Sequence, residues 1–156
     1  MNNPVNDSAL NAAGRFGRFS YLAWNCLLAI AVILIGGSLA VIFPNLFINM
    51  ETGNFGSGAL IFGILYIVMI YFTFIFAIRR LHDRNHSGWL SLLFLVPFAN
   101  ILIGLYLAFA AGDTQSNNYG APRPTAGWES VLAWIYIILM LLALIGGLIA
   151  VMTINQ

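Results

Sequence analysis

The sequence predicts an all-α polytopic membrane protein with four hydrophobic segments. Of its 156 residues, 61% are hydrophobic and only 7% are charged, whereas a soluble domain usually has about 25% charged residues. The mean hydropathy of the chain is +0.91. Four apolar runs each reach the length of about 18 residues that is needed to cross a hydrocarbon layer about 30 Å thick. These observations exclude a soluble domain.

The few charged and sulfur-containing residues restrict the classes of partner and cofactor. The formal net charge is +1, and all six cations are arginine. No basic tract is long enough to follow a phosphate backbone, so we expect no nucleic acid partner. Cys26 is the only cysteine, which excludes an intrachain disulfide and a thiolate metal site. We therefore expect neither a cofactor nor a bound metal.

The first span is predicted from Tyr21 to Phe43 and ends before Pro44. It follows a small, polar N-terminal segment, residues 1–20, which contains Arg15 and Arg18. These two arginines are three residues apart, which fits either an interfacial helical turn over Gly14 to Ser20 or ordinary charge that fixes the topology.

The second span is predicted at about Ala59 to Ile78. An arginine at the centre of a span costs about 2.5 to 3.5 kcal/mol. Arg79 and Arg80 are therefore predicted to mark the aqueous end of this span.

The third apolar segment, Trp89 to Ala111, has Pro97 near its middle. It either forms one span kinked at Pro97 or turns back as a re-entrant hairpin buried against its neighbours. A single kinked span is favoured because each arm of a hairpin would be short for the bilayer. The last span is predicted from Val131 to Met152.

The arginines predict the orientation through the positive-inside bias. With four spans, five arginines lie on the side of both termini and one, Arg123, lies on the other. With a hairpin, all six lie on one side and the C-terminus lies opposite. Both counts place the N-terminus and the loop that begins at Arg79, between the second and third apolar segments, in the cytoplasm.

Most of the ionisable chemistry is concentrated in one stretch between two apolar runs. It reads Arg79-Arg80-Leu81-His82-Asp83-Arg84-Asn85-His86-Ser87-Gly88-Trp89. On a continuing helix, Asp83 is spaced to bridge Arg79 and Arg80. The cluster either anchors the helix end and fixes topology or grips an anionic lipid headgroup or an acidic partner with its arginine forks.

Two other readings of this stretch are weaker. His82 and His86 have the spacing of a helical zinc pair, but no third ligand is evident. Ser87 has no identifiable base or oxyanion site, so no catalytic constellation is found.

Several motifs resemble the bacterial domain-of-unknown-function family 805, a set of small inner-membrane proteins. They are Gly14-Arg15-Phe16-Gly17-Arg18-Phe19-Ser20-Tyr21-Leu22-Ala23-Trp24, Arg79-Arg80-Leu81-His82-Asp83, Ser87-Gly88-Trp89, Val96-Pro97, and Asn118-Tyr119-Gly120 with Pro122. The similarity covers residues 13–124 approximately. It implies a bacterial inner-membrane location and no established activity.

The sequence departs from the family pattern at three places. His86 and Ala121 differ from the residues common in relatives, which weakens the zinc reading and any role for an acid at 121. Residues 125–156 add a transmembrane helix to the membrane domain of residues 21–124.

We expect a non-enzymatic interaction or anionic-lipid-binding module that works through its cytoplasmic arginine face. The alternative is a small transporter, channel or transport accessory subunit. Coupled transport by a monomer is disfavoured, because Asn25 and Asn100 are the only strongly polar side chains within the spans. Expected partners are membrane lipids, a second copy, or another membrane protein. The candidate binding residues are Arg15, Arg18, Arg79, Arg80, His82, Asp83, Arg84, Ser87, Asn118 and Tyr119.

Overall fold

The structure is a computed structural model that describes residues 10–45 and 57–154. These residues form α1 (Arg18–Ile42), α2 (Ser57–Asp83), a 3-10 helix (Gly88–Leu95), α3 (Ala99–Phe109) and α4 (Gly127–Ile154). The predicted all-α class is confirmed. Residues 1–9 of the predicted N-terminal segment and most of the predicted loop between the first two spans, residues 46–56, lie outside the described residues.

Within residues 10–45 and 57–154, three helices are long and apolar enough to cross a membrane: α1, α2 and α4. They contain 25, 27 and 28 residues, which at 1.5 Å per residue gives lengths of about 38, 40 and 42 Å. Each exceeds the hydrocarbon thickness of about 30 Å.

Helix α2 continues past the predicted end of the span at Ile78, through both arginines, to Asp83, as the predicted contacts of Asp83 require. It closes with a Schellman motif, in which the His86 N–H donates to the Leu81 carbonyl and the Asn85 N–H donates to the His82 carbonyl, both at 3.0 Å. Asn85 adopts a φ of 56°, and asparagine tolerates this left-handed conformation better than most residues.

The third apolar segment is a re-entrant hairpin. The 3-10 helix and α3 pack against each other, and the Asp113 N–H donates to the Asp83 carbonyl at 2.8 Å. Both ends of the segment therefore lie beside the end of α2. The two arms contain 8 and 11 residues, about 16 Å each, or half of the bilayer core. The single kinked span is wrong, and the hairpin alternative is confirmed.

The hairpin reverses at a tight turn after Pro97. The Ala99 N–H donates to the Pro97 carbonyl at 2.9 Å, which closes a three-residue γ-turn around Phe98. Phe98 has a φ of 65°, a conformation that bulky residues rarely adopt.

The hairpin sets the topology. Helices α1 and α4 begin at the end of the bundle where α2 finishes. The Phe16 N–H, just before α1, donates to the Arg79 carbonyl at 3.0 Å, and Ser20 and Trp24 near the start of α1 donate to Glu129 near the start of α4. We call this the polar end: residues 14–20, 79–88, 106–129. Helix α1 begins at the polar end and α4 finishes at the opposite end of the bundle, which is the arrangement that the hairpin alternative predicts.

The buried core lies toward the polar end of the bundle. Phe16, Phe76, Leu81 and Leu107 are among its members. No residue in the most apolar window of α4 is buried inside the chain. The described helices are therefore buried against one another mainly at the polar end, and their apolar surfaces farther from it are exposed.

Candidate functional site

The centre of the polar end is Asp83, the last residue of α2, held between two arginines. Its Oδ1 accepts from Arg15 Nε and Nη2 at 3.1 and 3.0 Å. Its Oδ2 accepts from Arg80 Nη1 at 2.5 Å. Arg15 and Arg80 are almost fully buried, and Asp83 is 4% exposed. Buried ion pairs of this kind hold their geometry because leaving either charge unpaired is costly.

The remaining guanidinium donors of this cluster bind backbone carbonyls. Arg15 Nη1 donates to the Gln115 and Gly120 carbonyls at 2.8 and 3.0 Å. Arg80 donates to the Leu107 carbonyl at 2.8 Å and to the Ala110 carbonyl. The last carbonyls of α3 have no partner within their own helix, so Arg80 satisfies them and fixes the returning arm of the hairpin.

Arg79 packs against an aromatic ring. Its Cζ is 4.0 Å from the centre of the Phe16 ring, and Arg123 Cζ lies 5.4 Å from the same ring. Phe16 is fully buried, and cation–π contacts are strongest where water is excluded. Of the predicted bridge through Asp83, the Arg80 contact is present. Asp83 also binds Arg15, which was not predicted, because the N-terminal segment places Arg15 against the end of α2.

Gly112 allows the chain to approach the carboxylate closely. A Cβ atom at this position would lie 1.9 Å from Asp83 Oδ2. Any other residue would therefore displace the carboxylate or the chain after α3.

A turn at residues 117–120 covers the side of the cluster. The Tyr119 ring stacks on His82 with 3.8 Å between centroids and 7° between planes. The Asn117 side chain donates to the His82 carbonyl at 2.9 Å, and the Asn118 N–H donates to Asn85 Oδ1 at 3.3 Å. The turn is thus attached to the end of α2 at three points.

The two histidines contact different groups. His82 Nδ1 lies 3.3 Å from the Gly14 carbonyl, and His86 Nε2 lies 2.7 Å from the Tyr106 hydroxyl. Arg84 Nε also donates to Tyr106, at 3.1 Å. Within residues 10–45 and 57–154, no three His, Cys, Asp or Glu side chains are grouped so as to hold a metal ion.

A second buried ion pair was not predicted from the sequence. Arg123 Nη1 donates to Glu129 Oε1 and Oε2 at 2.8 and 2.9 Å. Glu129 is fully buried and also accepts from Ser20 Oγ, Trp24 Nε1 and the Ala126 N–H. The last contact caps the first turn of α4. The sequence did contain a signal for this pair: Glu129 is a single acid at the start of an apolar run, and Arg123 precedes it by six residues.

Burial divides the predicted site residues into three groups. Arg15, Arg79, Arg80 and Asp83 are buried, His82, Arg84 and Tyr119 are partly buried, and Arg18, Ser87 and Asn118 are exposed. Ser87 accepts from the Trp89 N–H at 3.4 Å as the cap of the 3-10 helix. The structure brings all ten to the polar end. It leaves Arg18 and part of Arg84 open to a ligand, while the forks of Arg15 and Arg80 are directed inward.

Comparison with known proteins identifies a family and relatives of this chain. A family model described as Protein of unknown function (DUF805) matches residues 9–121, which end before α4 begins. The chain is 43% identical over 61 residues to Inner membrane protein YhaI of Escherichia coli strain K12, covering 35% of this chain and 52% of the relative. It is 46% identical over 46 residues to Inner membrane protein YhaH of the same strain, covering 30% and 37%.

The chain thus spans about half the length, or less, of the curated relatives that it matches. No solved structure matches it.

Proposed function

Since the chain belongs to the DUF805 family, a family of unknown function, we propose that it is a non-enzymatic membrane module that binds anionic lipids. Relatives of the chain include inner membrane proteins. The polar end faces the cytoplasm in this proposal. It presents positive charge to the anionic headgroups of the inner leaflet.

One observation carries the proposal: every charged side chain in the described residues lies at the polar end. The described residues contain six arginines and three carboxylates, Asp83, Asp113 and Glu129, so the polar end has a net charge of +3. The described ranges 21–45, 57–78 and 130–154, which make up most of the three long helices, contain no charged residue. Each cation near an anionic surface contributes about 1 kcal/mol to binding.

The buried arginines act through their field rather than by direct contact. Arg15 and Arg80 use their donors on Asp83 and on backbone carbonyls. Arg18 is exposed, and Arg84 is partly exposed. We expect these two to reach a phosphate, since Arg123, which is also partly exposed, is paired with Glu129. The buried cluster adds to the positive potential behind them.

The proposal is tested by lipid retention in native mass spectrometry. Wild-type protein extracted from mixed membranes should retain phosphatidylglycerol and cardiolipin in preference to phosphatidylethanolamine. The double variant Arg18→Gln, Arg84→Gln should lose this preference by roughly tenfold or more, because two cations are removed. Thr114→Gln places the same side chain at an exposed position of the polar end without removing charge, and it should behave as the wild type. Equal headgroup composition in the wild type and the double variant, at equal folded yield, would refute lipid binding by this end.

A further inference from the structure

A groove lies within the membrane-facing part of the molecule, between α1, α3 and α4. Its volume is about 530 Å³, and its lining is mainly apolar. Ligand sites in proteins usually have volumes of about 300 to 1,000 Å³. The groove starts near Tyr21 and Phe109, next to the polar end, and continues toward Leu144 on α4. Its long direction therefore follows the direction of a lipid chain.

Two amides line this groove although they are 75 positions apart in the chain. Asn25 of α1 and Asn100 of α3 are the asparagines of the apolar segments, and both face the same cavity. The Asn25 side chain donates to the Tyr21 carbonyl at 2.8 Å, which leaves its oxygen as an acceptor. Polar groups facing hydrocarbon are costly without hydrogen bonds. Their placement in one groove favours an occupant that carries polar atoms as well as an apolar chain.

Arg18 stands at the polar opening of the groove. It is exposed, and its Nη1 donates to the carbonyl of Phe109, a lining residue, at 3.4 Å. Tyr21, Leu22 and Asn25 follow Arg18 at three, four and seven residues along α1, so all four lie on one helical face. A cation therefore stands above an apolar channel, which matches the charge order of an anionic phospholipid.

We propose that this groove binds one anionic phospholipid, with an acyl chain between α1, α3 and α4 and the phosphate on Arg18. The inference rests on the proposed function and names the site at which it occurs. Arg18 gives the preference for a negative headgroup. The apolar lining gives the affinity for the chain, which is the same for any headgroup.

The test separates these two contributions. Phosphatidylglycerol and phosphatidylethanolamine with identical chains are titrated into delipidated protein in detergent and counted by native mass spectrometry. Ala108→Phe fills the groove from α3 and should lower binding of both lipids at least fivefold. Ala143→Phe is the matched control, because Ala143 is exposed on α4 and does not line the groove. Arg18→Gln should lower only phosphatidylglycerol binding, by roughly fivefold.

A photocrosslinking measurement covers the case in which Ala108→Phe fails to fold. Met140 lines the groove, whereas Leu139 is exposed outside it. Benzoylphenylalanine at Met140 should therefore crosslink to phosphatidylglycerol more than the same probe at Leu139. Equal crosslinking at the two positions would overturn the site, and so would a crosslink from Met140 to a second copy of the chain. Equal lipid binding by Ala108→Phe and Ala143→Phe would also overturn the site. If the wild type still preferred phosphatidylglycerol in that case, the proposed function would stand without this site. If the wild type shows no such preference, both fail.

Discussion

Asp83 is the residue on which the polar end depends, because its carboxylate serves two buried guanidinium groups. We predict that Asp83→Asn lowers the free energy of unfolding by about 3 to 5 kcal/mol, since Arg15 and Arg80 would keep their charges without a counterion. The measurement is unfolding in mixed micelles of increasing SDS fraction. Asp113→Asn is the control: Asp113 is only partly buried and its carboxylate accepts from Asn117. Equal midpoints for the two variants would contradict this role of Asp83.

Gly112 provides a second prediction, based on contact distance alone. Gly112→Ala should destabilise the protein by about 1 to 3 kcal/mol, because its Cβ would lie 1.9 Å from Asp83 Oδ2. Gly104→Ala makes the same change in α3, where the nearest neighbouring atom is 3.9 Å away, and should cost nothing measurable. The same SDS titration compares the two. A Gly112→Ala protein as stable as Gly104→Ala would mean that the carboxylate has room to move.

At the scale of elements, the hairpin is the least regular part of the membrane domain. Its arms cover about 16 Å each, so the turn at Phe98 should lie near the middle of the bilayer. A cysteine replacing Phe98 should be protected from water-soluble thiol reagents added to either side. A fluorophore on that cysteine should be quenched most by lipids brominated near the chain ends. Quenching strongest with headgroup-labelled lipids would place the turn at the surface instead.

The native cysteine does not interfere with this measurement. Cys26 is 1% exposed, so it should remain unlabelled in the folded protein. The wild type serves as the blank.

For the whole molecule, three crossings and the arginine distribution predict opposite sides for the two ends of the chain. In intact spheroplasts, a cysteine replacing Thr153 should react with an impermeant reagent from outside. A cysteine replacing Ser116, which is exposed beside the turn at residues 117–120, should react only after the cells are opened. Labelling of Ser116→Cys from outside would invert the orientation.

The sequence was sufficient for features that depend on local composition. The apolar runs predicted three long helices to within a few residues at most ends, and the density of arginines located the polar end. The hairpin required more than composition: Pro97 indicated a break, but length alone favoured a span. Contacts between Asp83 and Asp113 decide the outcome, and these residues are 30 positions apart.

The individual partners within the site were beyond sequence reasoning for the same reason. Helical spacing suggested Arg79 and Arg80 as partners of Asp83, because only neighbours in the chain are visible in a spacing pattern. Another partner, Arg15, comes from a segment 68 residues away. The close approach of Gly112 and the capture of Glu129 by Arg123, Ser20 and Trp24 depend likewise on how the helices meet.

The separation of Arg15 from Asp83 also has a consequence during synthesis. Arg15 leaves the ribosome 68 residues before Asp83, and at about 5 to 20 residues per second this interval lasts roughly 3 to 14 s. The Gly120 carbonyl follows later still. Until then we expect the Arg15 guanidinium to stay hydrated at the membrane surface while α1 and α2 insert. Burial of this arginine is therefore a late event of biogenesis, and it closes the polar end only after the hairpin has been made.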